Sequence, residues 1–466
     1  MGKWGWLKRA GALCVFSIAA AVISAAQSFN VIVNFNGANG GGPDTMSLAQ
    51  GLDGDFYGTT NTGGAHGYGT VFKVTPAGEL TTLYSFCAQA GCTDGASTYA
   101  GLILGTDGNF YGVTTYGGTN GWGTVFKITP GGVLTALHSI EAAEGFYPLG
   151  PLVQASDGNF YGTVASGGAN DDGGVFQITP QGVLTNLHSF NGTDGSDPSA
   201  ALVEGADRNL YGTTFSGGSS TACEDGCGTV FRVTPGGTLT TLHSFEFSDG
   251  AYPYAKLIQA SDGNFYGTTN GGGAPGWGTV FRMTPAGALT TLHTFNLADG
   301  GRPYAGLLQA LNGNFYGTTR YGGADDVGTA FEMTSGGAFT LLHSLDNADG
   351  ADPSGGLLQA TNGTFYGSAW GGGADGDGTL FSEGAGLGPF VMTVPAARKV
   401  GQSVITLGTN LSGATSLSFN GIAATFRVVS DTEITTTVPV GATSGRVQVV
   451  TPGGTLLSNT LFRVMP

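Results

Sequence analysis

A unit of about 50 residues is repeated seven times along this chain of 466 residues. Each copy contains the tetrad Asn-Phe-Tyr-Gly or a close variant. The Phe position of the tetrad is occupied by Phe56, Phe110, Phe160, Leu210, Phe265, Phe315 and Phe365. A period of this length is typical of repeat architectures, in which each unit is one supersecondary element that buries its apolar side chains against its neighbours.

The composition between these markers indicates strands rather than helices. Glycine accounts for 86 residues, and each glycine inside a helix costs about 1 kcal/mol relative to alanine. Thr, Val, Phe and Tyr recur between the glycines, as in short strands joined by tight turns. Hydrophobic residues make up 40% of the chain, enough to form a core, which argues against disorder.

The fifth copy shows how one unit is predicted to fold. Four strands, named A to D, are predicted at Lys256–Ala260, Phe265–Thr269, Thr279–Met283 and Leu289–Phe295. Asp262 and Gly263 mark a tight A–B turn, and Pro285 lies in the C–D turn. A glycine-rich loop joins B to C, and a longer loop joins D to the next strand A. Four short antiparallel strands in about 50 residues match one blade of a β-propeller.

The two ends of the array favour a closed ring over an open solenoid. The seventh copy ends after strand C, at Phe381, whereas the segment Phe29–Phe35 ahead of the first copy reads as an extra strand D. A solenoid needs polar caps at both ends, but a ring needs its termini to complete one shared blade. The sequence therefore predicts an all-β, seven-bladed β-propeller over residues 27–384, with the N-terminal strand closing the last blade.

The first 26 residues are predicted to be a secretory signal peptide. Lys3, Lys8 and Arg9 form a basic start, Ala10–Ile23 is largely apolar, and Ser24–Ala26 supplies small residues for cleavage. No other apolar run is long enough to span a bilayer. We expect a mature chain that is secreted, periplasmic or on the cell surface.

The charge of the mature chain excludes some partners. The formal net charge of −16 becomes −19 once the three basic residues of the leader are removed. Nucleic acid binding requires a basic face, so it is not expected. Cationic partners, metal ions and neutral sugars all remain compatible with this charge.

Four cysteines outside the leader occur as two close pairs. Cys87 and Cys92 lie in an inserted D–A loop, and Cys223 and Cys227 lie in an inserted B–C loop. In an exported protein such pairs indicate local disulfides. Zinc is the rival interpretation, but no histidine recurs beside either pair.

The variation between copies is concentrated on one predicted face. In a propeller the A–B and C–D turns share one face, and here both turns are nearly constant. The B–C and D–A loops share the other face, and both cysteine insertions fall there. This second face, called the loop face below, is the candidate working surface.

The segment 389–466 differs from the repeats and follows a linker, Gly384–Pro389. Its stretches Val400–Leu411, Ile434–Pro439 and Gly445–Val449 resemble the IPT/TIG immunoglobulin-like fold. The resemblance implies a β-sandwich that acts as a spacer or binding module.

The repeat resembles the GloVer-type bacterial tandem repeat found in choice-of-anchor envelope proteins. The resemblance is carried by Gly-Asn-Phe-Tyr-Gly-Thr-Thr, Gly-Thr-Val-Phe and Leu-Thr-Thr-Leu-His-Ser-Phe, over residues 29–383. It implies a protein of the cell envelope and supplies no catalytic residues.

Histidine recurs on strand D, and an acidic residue recurs in the loop that follows it. The histidines are His138, His188, His243, His293 and His343. Because strand D is outermost in a blade, they are expected about 20 Å apart, too far to share a metal, and to pack between blades with one hydrogen bond each. Strict alternation places Leu184, Asn186, His188 and Phe190 on one face of strand D.

The recurring acids are Asp94, Glu144, Asp194, Asp249, Asp299 and Asp349. Two interpretations of them remain open. In one, each acid bonds its own turn backbone. In the other, the acids form a rim that holds a cation such as calcium. No cofactor is otherwise expected.

Aromatic residues crowd the loop face, chiefly in or beside B–C loops. They are Tyr116, Trp122, Phe215, Trp277, Tyr321 and Trp370, with Tyr252, Tyr254 and Tyr304 near D–A loops. Rings beside acids and amides suit sugar recognition, although such rings also serve to cover blade edges.

Sequence motifs of catalysis are lacking: there is no Gly-x-Ser-x-Gly, no His-Glu-x-x-His and no phosphate-binding glycine loop. The leading hypothesis is an envelope protein that binds a polysaccharide or a cell-surface protein through the loop face. The alternatives are a glycan hydrolase or lyase using Asp or Glu at the channel mouth, and an architectural protein without a ligand.

Overall fold

The computed structural model of the protein describes residues 28–44 and 47–465, and these residues are almost entirely β-structure. Within them the one helical element is a 3-10 turn, Ala90–Cys92. The predicted signal peptide, residues 1–26, lies outside the described residues.

Seven four-stranded antiparallel sheets account for the repeats, each in the order A-B-C-D. The A strands are Ala49–Gln50, Ile103–Leu104, Val153–Gln154, Val203–Glu204, Ile258–Gln259, Leu308–Gln309 and Leu358–Gln359. The B strands are Phe56–Thr60, Phe110–Thr114, Phe160–Val164, Leu210–Thr214, Phe265–Thr269, Phe315–Thr319 and Phe365–Ala369. The C strands are Thr70–Val74, Thr124–Ile128, Gly174–Ile178, Thr229–Val233, Thr279–Met283, Thr329–Met333 and Thr379–Gly384. The D strands are Leu80–Ser85, Leu134–Ser139, Leu184–Ser189, Leu239–Ser244, Leu289–Thr294 and Phe339–Ser344.

The seventh sheet takes its fourth strand from the N-terminus of the described chain. Ser28–Asn34 pairs antiparallel with Thr379–Gly384, and Val31 lies opposite Phe381. The pairing predicted from the two incomplete ends of the array is confirmed. The first and last repeats are therefore joined by backbone hydrogen bonds.

Strand A is shorter than predicted. The fifth copy has only Ile258–Gln259 in strand A, and Ala255, just ahead of the predicted strand, bonds to the preceding repeat. Thr213 Oγ1 of repeat 4 donates to the Ala255 carbonyl at 3.3 Å, and Thr268 does the same to Ala305.

Strand D departs from the predicted alternation at a β-bulge. His188 pairs with Val175, whereas Asn186 pairs with Phe176, so Leu187 is the extra residue. Asn186 is exposed, and Leu187 packs against the core formed with the next repeat. The prediction that Asn186 and His188 follow one uninterrupted face is wrong, because a bulge shifts the side-chain alternation by one residue.

The tetrad Asn-Phe-Tyr-Gly is explained by contacts between repeats. The Tyr ring of one repeat meets the Phe ring of the next with centroids 4.0–4.3 Å apart, as in Tyr57–Phe110 and Tyr316–Phe365. Tyr366 of repeat 7 meets Phe56 of repeat 1 in the same way, at 4.2 Å. Each aromatic pair stabilises its interface by about 0.5–1.5 kcal/mol beyond the burial of its area.

The glycine of the tetrad makes room for strand C. A Cβ added at Gly267 would lie 2.6 Å from Cζ of Phe281, so any larger residue would displace a ring buried in the interface. The same contact recurs at Gly112 and Gly367 with Phe126 and Phe381.

In four of the repeats a glutamine at the end of strand A links the repeat to the one before it. Gln154 Oε1 accepts from Thr106 N at 2.9 Å, and Gln309 Oε1 accepts from Ser261 N at 2.9 Å. Gln50 of repeat 1 accepts from Thr361 N of repeat 7 at 3.0 Å. The contact between the last and first repeats therefore copies the contact between consecutive repeats.

After Gly384 the chain forms two further four-stranded sheets and a parallel strand pair. The first sheet contains Met392–Val394, Ser403–Leu407, Glu433–Thr437 and Phe426–Val428. The second contains Ile422–Ala423, Ser416–Phe419, Val447–Thr451 and Gly454–Leu457. Ala397–Lys399 pairs in parallel with Arg463–Met465. A core that includes Val404, Phe419 and Val449 lies between the sheets, as expected of a β-sandwich.

Candidate functional site

One backbone feature builds the loop face in every repeat. The residue three positions before the conserved Ala or its equivalent has a left-handed backbone, with φ between 46° and 59°. The seven residues are Gly42, Ser97, Tyr147, Asp197, Tyr252, Arg302 and Asp352. Six of them are not glycine, and such a conformation costs roughly 1–2 kcal/mol for an L-residue.

This strained residue is held from both sides by hydrogen bonds. Tyr252 N donates to the Cys227 carbonyl of the preceding repeat at 2.9 Å, and the Tyr252 carbonyl accepts from Asn270 N at 3.1 Å. Gly42 of repeat 1 likewise donates to Asp377 of repeat 7 at 2.9 Å. Strain that is over-determined in this way is typical of sites that must present side chains in fixed positions.

Residues at this position or two places after it meet in a group drawn from six repeats, together with Arg320, which follows strand B of the sixth repeat. We call it the mouth cluster, and it comprises Asp44, Tyr99, Asp197, Tyr254, Tyr304, Arg320 and Asp352. Tyr254 and Tyr304 have ring centroids 5.0 Å apart. The Arg320 guanidinium lies 4.9 Å from the Tyr304 ring centre and 3.8 Å from the Asp352 carboxylate. Ser354 Oγ donates to Asp44 at 2.6 Å.

Members of the mouth cluster shift one another's pKa values. Burial raises the pKa of the Tyr254 phenol, and the carboxylates of Asp44 and Asp197 raise it further. Burial also raises the pKa of Asp197, against a hydrogen bond from Ser199 that lowers it. The pKa of Asp352 is raised by burial, an effect that Arg320 only partly offsets. Carboxyls with raised pKa values are concentrated at functional sites, which makes the mouth cluster a candidate.

Aromatic rings continue outward from the mouth cluster. Phe215 stacks on Tyr252 at 5.0 Å and meets Tyr254 edge-on at 6.1 Å. On the other side Arg302 lies over Trp277 at 5.6 Å and over Tyr321 at 5.9 Å. Most of these rings are half-buried, so one edge or face of each is accessible to a ligand.

The aromatic residues predicted from the sequence divide into two groups. Phe215, Trp277 and Tyr321 belong to the ring system just described. Tyr116 lies close enough to Tyr99 to affect its pKa. The other two are farther out: Trp122 packs on Phe146 at 4.4 Å, and Trp370 is 43% exposed beside Gly42.

The acidic residues predicted as a rim are tied to strand D instead. Nε2 of the histidine lies 2.7–3.1 Å from the acid six residues later: His138–Glu144, His188–Asp194, His243–Asp249, His293–Asp299 and His343–Asp349. In the first repeat Tyr84 donates to Asp94 at 2.7 Å. Most of these acids also accept from a backbone N–H of their own turn, as Asp249 does from Glu246. They hold the D–A loop and are not in the mouth cluster.

Two of the histidines, His293 and His343, pack between repeats as predicted. His293 stacks on Phe339 of the next repeat at 4.1 Å, and His343 stacks on Phe29 at 4.0 Å. Their pairing with the acids was not foreseen, although a constant spacing of six residues was present in the sequence as a signal.

Both predicted disulfides, Cys87–Cys92 and Cys223–Cys227, are confirmed. Among residues 28–44 and 47–465, no group of three or more His, Cys, Asp or Glu side chains lies close enough to share a metal ion. No helix in the same residues has the length and apolar character needed to cross a membrane.

The opposite face, formed by the A–B and C–D turns, is in contact with the C-terminal domain. Thr432 Oγ1 donates to the Leu52 carbonyl of repeat 1 at 2.7 Å. Arg463 pairs with Glu204 of repeat 4 at 3.1 Å, and Thr409 bonds Thr361 of repeat 7 at 2.9 Å. The loop face therefore remains as the accessible face of the repeats.

Sequence comparison assigns both parts of the chain to known profiles. The profile described as the Gloeobacter/Verrucomicrobia repeat matches residues 11–224 and 217–386. The profile of the IPT/TIG domain matches residues 392–464. No curated protein matches the chain significantly.

Solved structures share only a coarse similarity with the chain. A fungal alcohol oxidase of the AA5 family, in complex with copper, has a TM-score of 0.47 at 13% identity and covers 88% of this chain and 94% of its own. A protein of unknown function from Bacteroides thetaiotaomicron has a TM-score of 0.43 at 12% identity, with 77% and 76% covered. A gluconolactonase from Xanthomonas campestris has a TM-score of 0.38 at 13% identity, with 64% and 88% covered. No function is transferred from these structures.

Proposed function

The chain belongs to the Gloeobacter/Verrucomicrobia repeat family, and on that basis we propose that it is an exported binding protein of the cell envelope that recognises a glycan through the mouth cluster. The proposed parts are a leader over residues 1–26, a seven-bladed propeller over residues 27–384 and an IPT/TIG sandwich over residues 389–466. The two disulfides support export, because such bonds persist in oxidising compartments.

Closure of the seven sheets into a ring is part of this proposal. It is supported by three contacts between repeats 7 and 1 that copy those between consecutive repeats. They are the Tyr366–Phe56 stack, the Gln50–Thr361 hydrogen bond and the Gly42–Asp377 hydrogen bond. A ring also accounts for the meeting of side chains from six repeats in one cluster, which an open array would keep apart.

The observation that carries the binding proposal is the combination of rings and polar groups at the mouth. Tyr254 and Tyr304 offer apolar faces, and Arg320, Asp44 and Asp197 supply donors and acceptors beside them. Sugars require this combination, because their C–H faces stack on rings while their hydroxyls need hydrogen bonds.

Binding is tested by screening the mature protein on a glycan array and measuring affinities by calorimetry. We expect Tyr254→Ala and Tyr304→Ala each to weaken binding tenfold or more, about 1.4 kcal/mol. Tyr68→Ala is the matched control, since Tyr68 is an exposed ring of the first repeat outside the cluster. Equal affinity of all three variants would contradict the proposed site.

A glycan-cleaving enzyme is the second candidate, and the raised pKa values of Asp197 and Asp352 favour it. A carboxyl whose pKa is raised by burial is suited to act as a general acid beside a second carboxylate. Release of products from a polysaccharide panel, abolished by Asp197→Asn, is the result expected of such an enzyme. Glycan binding without release of products would support the binding function and contradict the enzyme.

A further inference from the structure

The ring of residues beneath the mouth cluster contains one lysine. The residue two positions before each strand A is Ser47, Gly101, Pro151, Ala201, Lys256, Gly306 or Gly356. Six of the seven are neutral and compact, so they leave space at this level. Lys256 is the only one that extends a charged side chain into that space.

The neighbouring repeat leaves room for this side chain. A Cβ added at Gly306 would lie 2.9 Å from Cγ of Lys256 and 3.7 Å from its Cε, so the lysine stem runs across Gly306. The side chain is exposed to solvent, yet protein surrounds it closely enough for burial to lower the pKa of its ammonium. A group lining a narrow, water-filled passage has this combination of properties.

The protein supplies no counter-ion for Lys256 within its described part. Lys73 holds two carboxylates, Asp53 and Asp55, but none of the ion pairs in residues 28–44 and 47–465 includes Lys256. The carboxylates above it have other partners: Asp352 lies beside Arg320, and Asp197 accepts from Ser199. An ammonium that nearby protein partly desolvates is stabilised when an anion reaches it.

The passage has one open end if the repeats close into a ring. The C-terminal domain contacts Leu52 of repeat 1 and Glu204 of repeat 4, which lie nearly opposite each other in a seven-membered ring. A domain that bridges them crosses the axis on the turn face. A ligand for Lys256 then enters past Tyr254 and Tyr304.

We propose that the glycan bound at the mouth cluster is acidic, and that the carboxylate of a uronic acid residue pairs with the Lys256 ammonium; this rests on the proposed function. Lys256 follows Tyr254 by two residues, at most about 7 Å along the chain, roughly the size of one sugar ring. One sugar can therefore stack at the mouth while the carboxylate reaches the lysine. A single ammonium matches one carboxylate, whereas phosphate sites usually gather several donors.

The experiment compares an oligogalacturonate with its fully methyl-esterified form, which has the same sugars without the charge. Calorimetry is expected to show at least tenfold tighter binding of the acid form, and Lys256→Ala is expected to remove the difference. Alanine already occupies this position in repeat 4, so the variant should fold. Lys127→Ala is the control, since Lys127 lies near the turn-face residue Asp107.

An array of neutral, uronate-bearing and phosphorylated glycans separates failure of this inference from failure of the proposed function. Binding of neutral or phosphorylated glycans alone, or binding of uronates unaffected by Lys256→Ala, overturns the uronate assignment but leaves glycan binding intact. Absence of binding across the whole array overturns both.

Discussion

The two faces of the repeat array are made from the same seven backbones, yet they differ in how their chemistry varies. On the turn face one arrangement recurs: the tetrad Tyr donates to the turn Asp at 2.7–2.9 Å in five repeats, as Tyr266 does to Asp262. On the loop face the equivalent left-handed position holds Ser, Tyr, Asp, Arg or Gly. Constant chemistry indicates a structural task, and varied chemistry on a constant frame indicates a site.

Substitutions at the Tyr–Phe contacts between repeats, on which both faces depend, are expected to cause the largest loss of stability. Phe56→Ala should destabilise the protein by about 3–5 kcal/mol, because Phe56 is fully buried against Tyr366. The matched variant is Phe265→Ala, at the internal Tyr211 interface. Chemical denaturation should give equal losses if the ring is closed. A much smaller loss for Phe56→Ala would show that repeats 7 and 1 form a free edge in solution.

Docking of the C-terminal domain on the turn face gives a smaller expected effect. Arg463→Glu places a like charge beside Glu204 and removes a charged hydrogen bond of about 1.5–3 kcal/mol. Limited proteolysis should then cleave the linker near Gly386 several-fold faster. Arg427→Glu is the control, since Arg427 is exposed on the same domain. Unchanged cleavage would mean that Arg463 does not hold the domain in place.

Much of the structure was predictable from the sequence, and the parts that were not share a cause. The strand order and the pairing of the N-terminal strand follow from the repeat period and its two incomplete ends. The bulge at Leu187 and the short strand A do not, because the repeat period sets where the strands fall but not how their residues pair.

The candidate site was only partly predictable for a related reason. Phe215, Trp277 and Tyr321 were found because aromatic residues in loops stand out. Asp197 and Asp352 were missed, since the acid that recurs in six copies drew attention and acids that occur in few copies did not. Both acids could have been found in the sequence, because they lie at the position before the proline of the D–A loop, where the residue type varies from copy to copy.

A pair of tyrosine variants sharpens the contrast between the faces. Tyr266→Phe removes a hydrogen bond to a carboxylate on the turn face and should cost about 1–2 kcal/mol by urea denaturation. Tyr254→Phe on the loop face keeps the ring and should leave stability almost unchanged while weakening glycan binding. A larger loss of stability for Tyr254→Phe than for Tyr266→Phe would show that the loop face, not the turn face, has the structural role.

The smallest predicted effect is on the pH dependence of stability, to which Asp262 and Asp197 contribute with opposite signs. Burial acts to raise the pKa of Asp262, but hydrogen bonds from Asn264 and Tyr266 outweigh it and the pKa is lowered. Ionised Asp262 therefore stabilises the fold above its unfolded pKa of about 4, and this is lost as the pH falls through the lower folded pKa. Burial raises the pKa of Asp197, so ionisation of this carboxyl opposes folding. The loss of stability grows from about pH 4 until the pH passes the folded pKa, and above that pH it stays constant.

Replacing each of these two acids by the neutral amide should therefore act in opposite directions at pH 7. Asp262→Asn should lower the free energy of unfolding and Asp197→Asn should raise it, each by about 1 kcal/mol or less, because solvent screens the exposed turn strongly. Urea denaturation at pH 7 and again near pH 3 checks both, and the two differences should shrink at the acidic pH. The same sign for both variants at pH 7 would show that the loop face does not hold its carboxyls under strain, which removes the electrostatic argument for a site there.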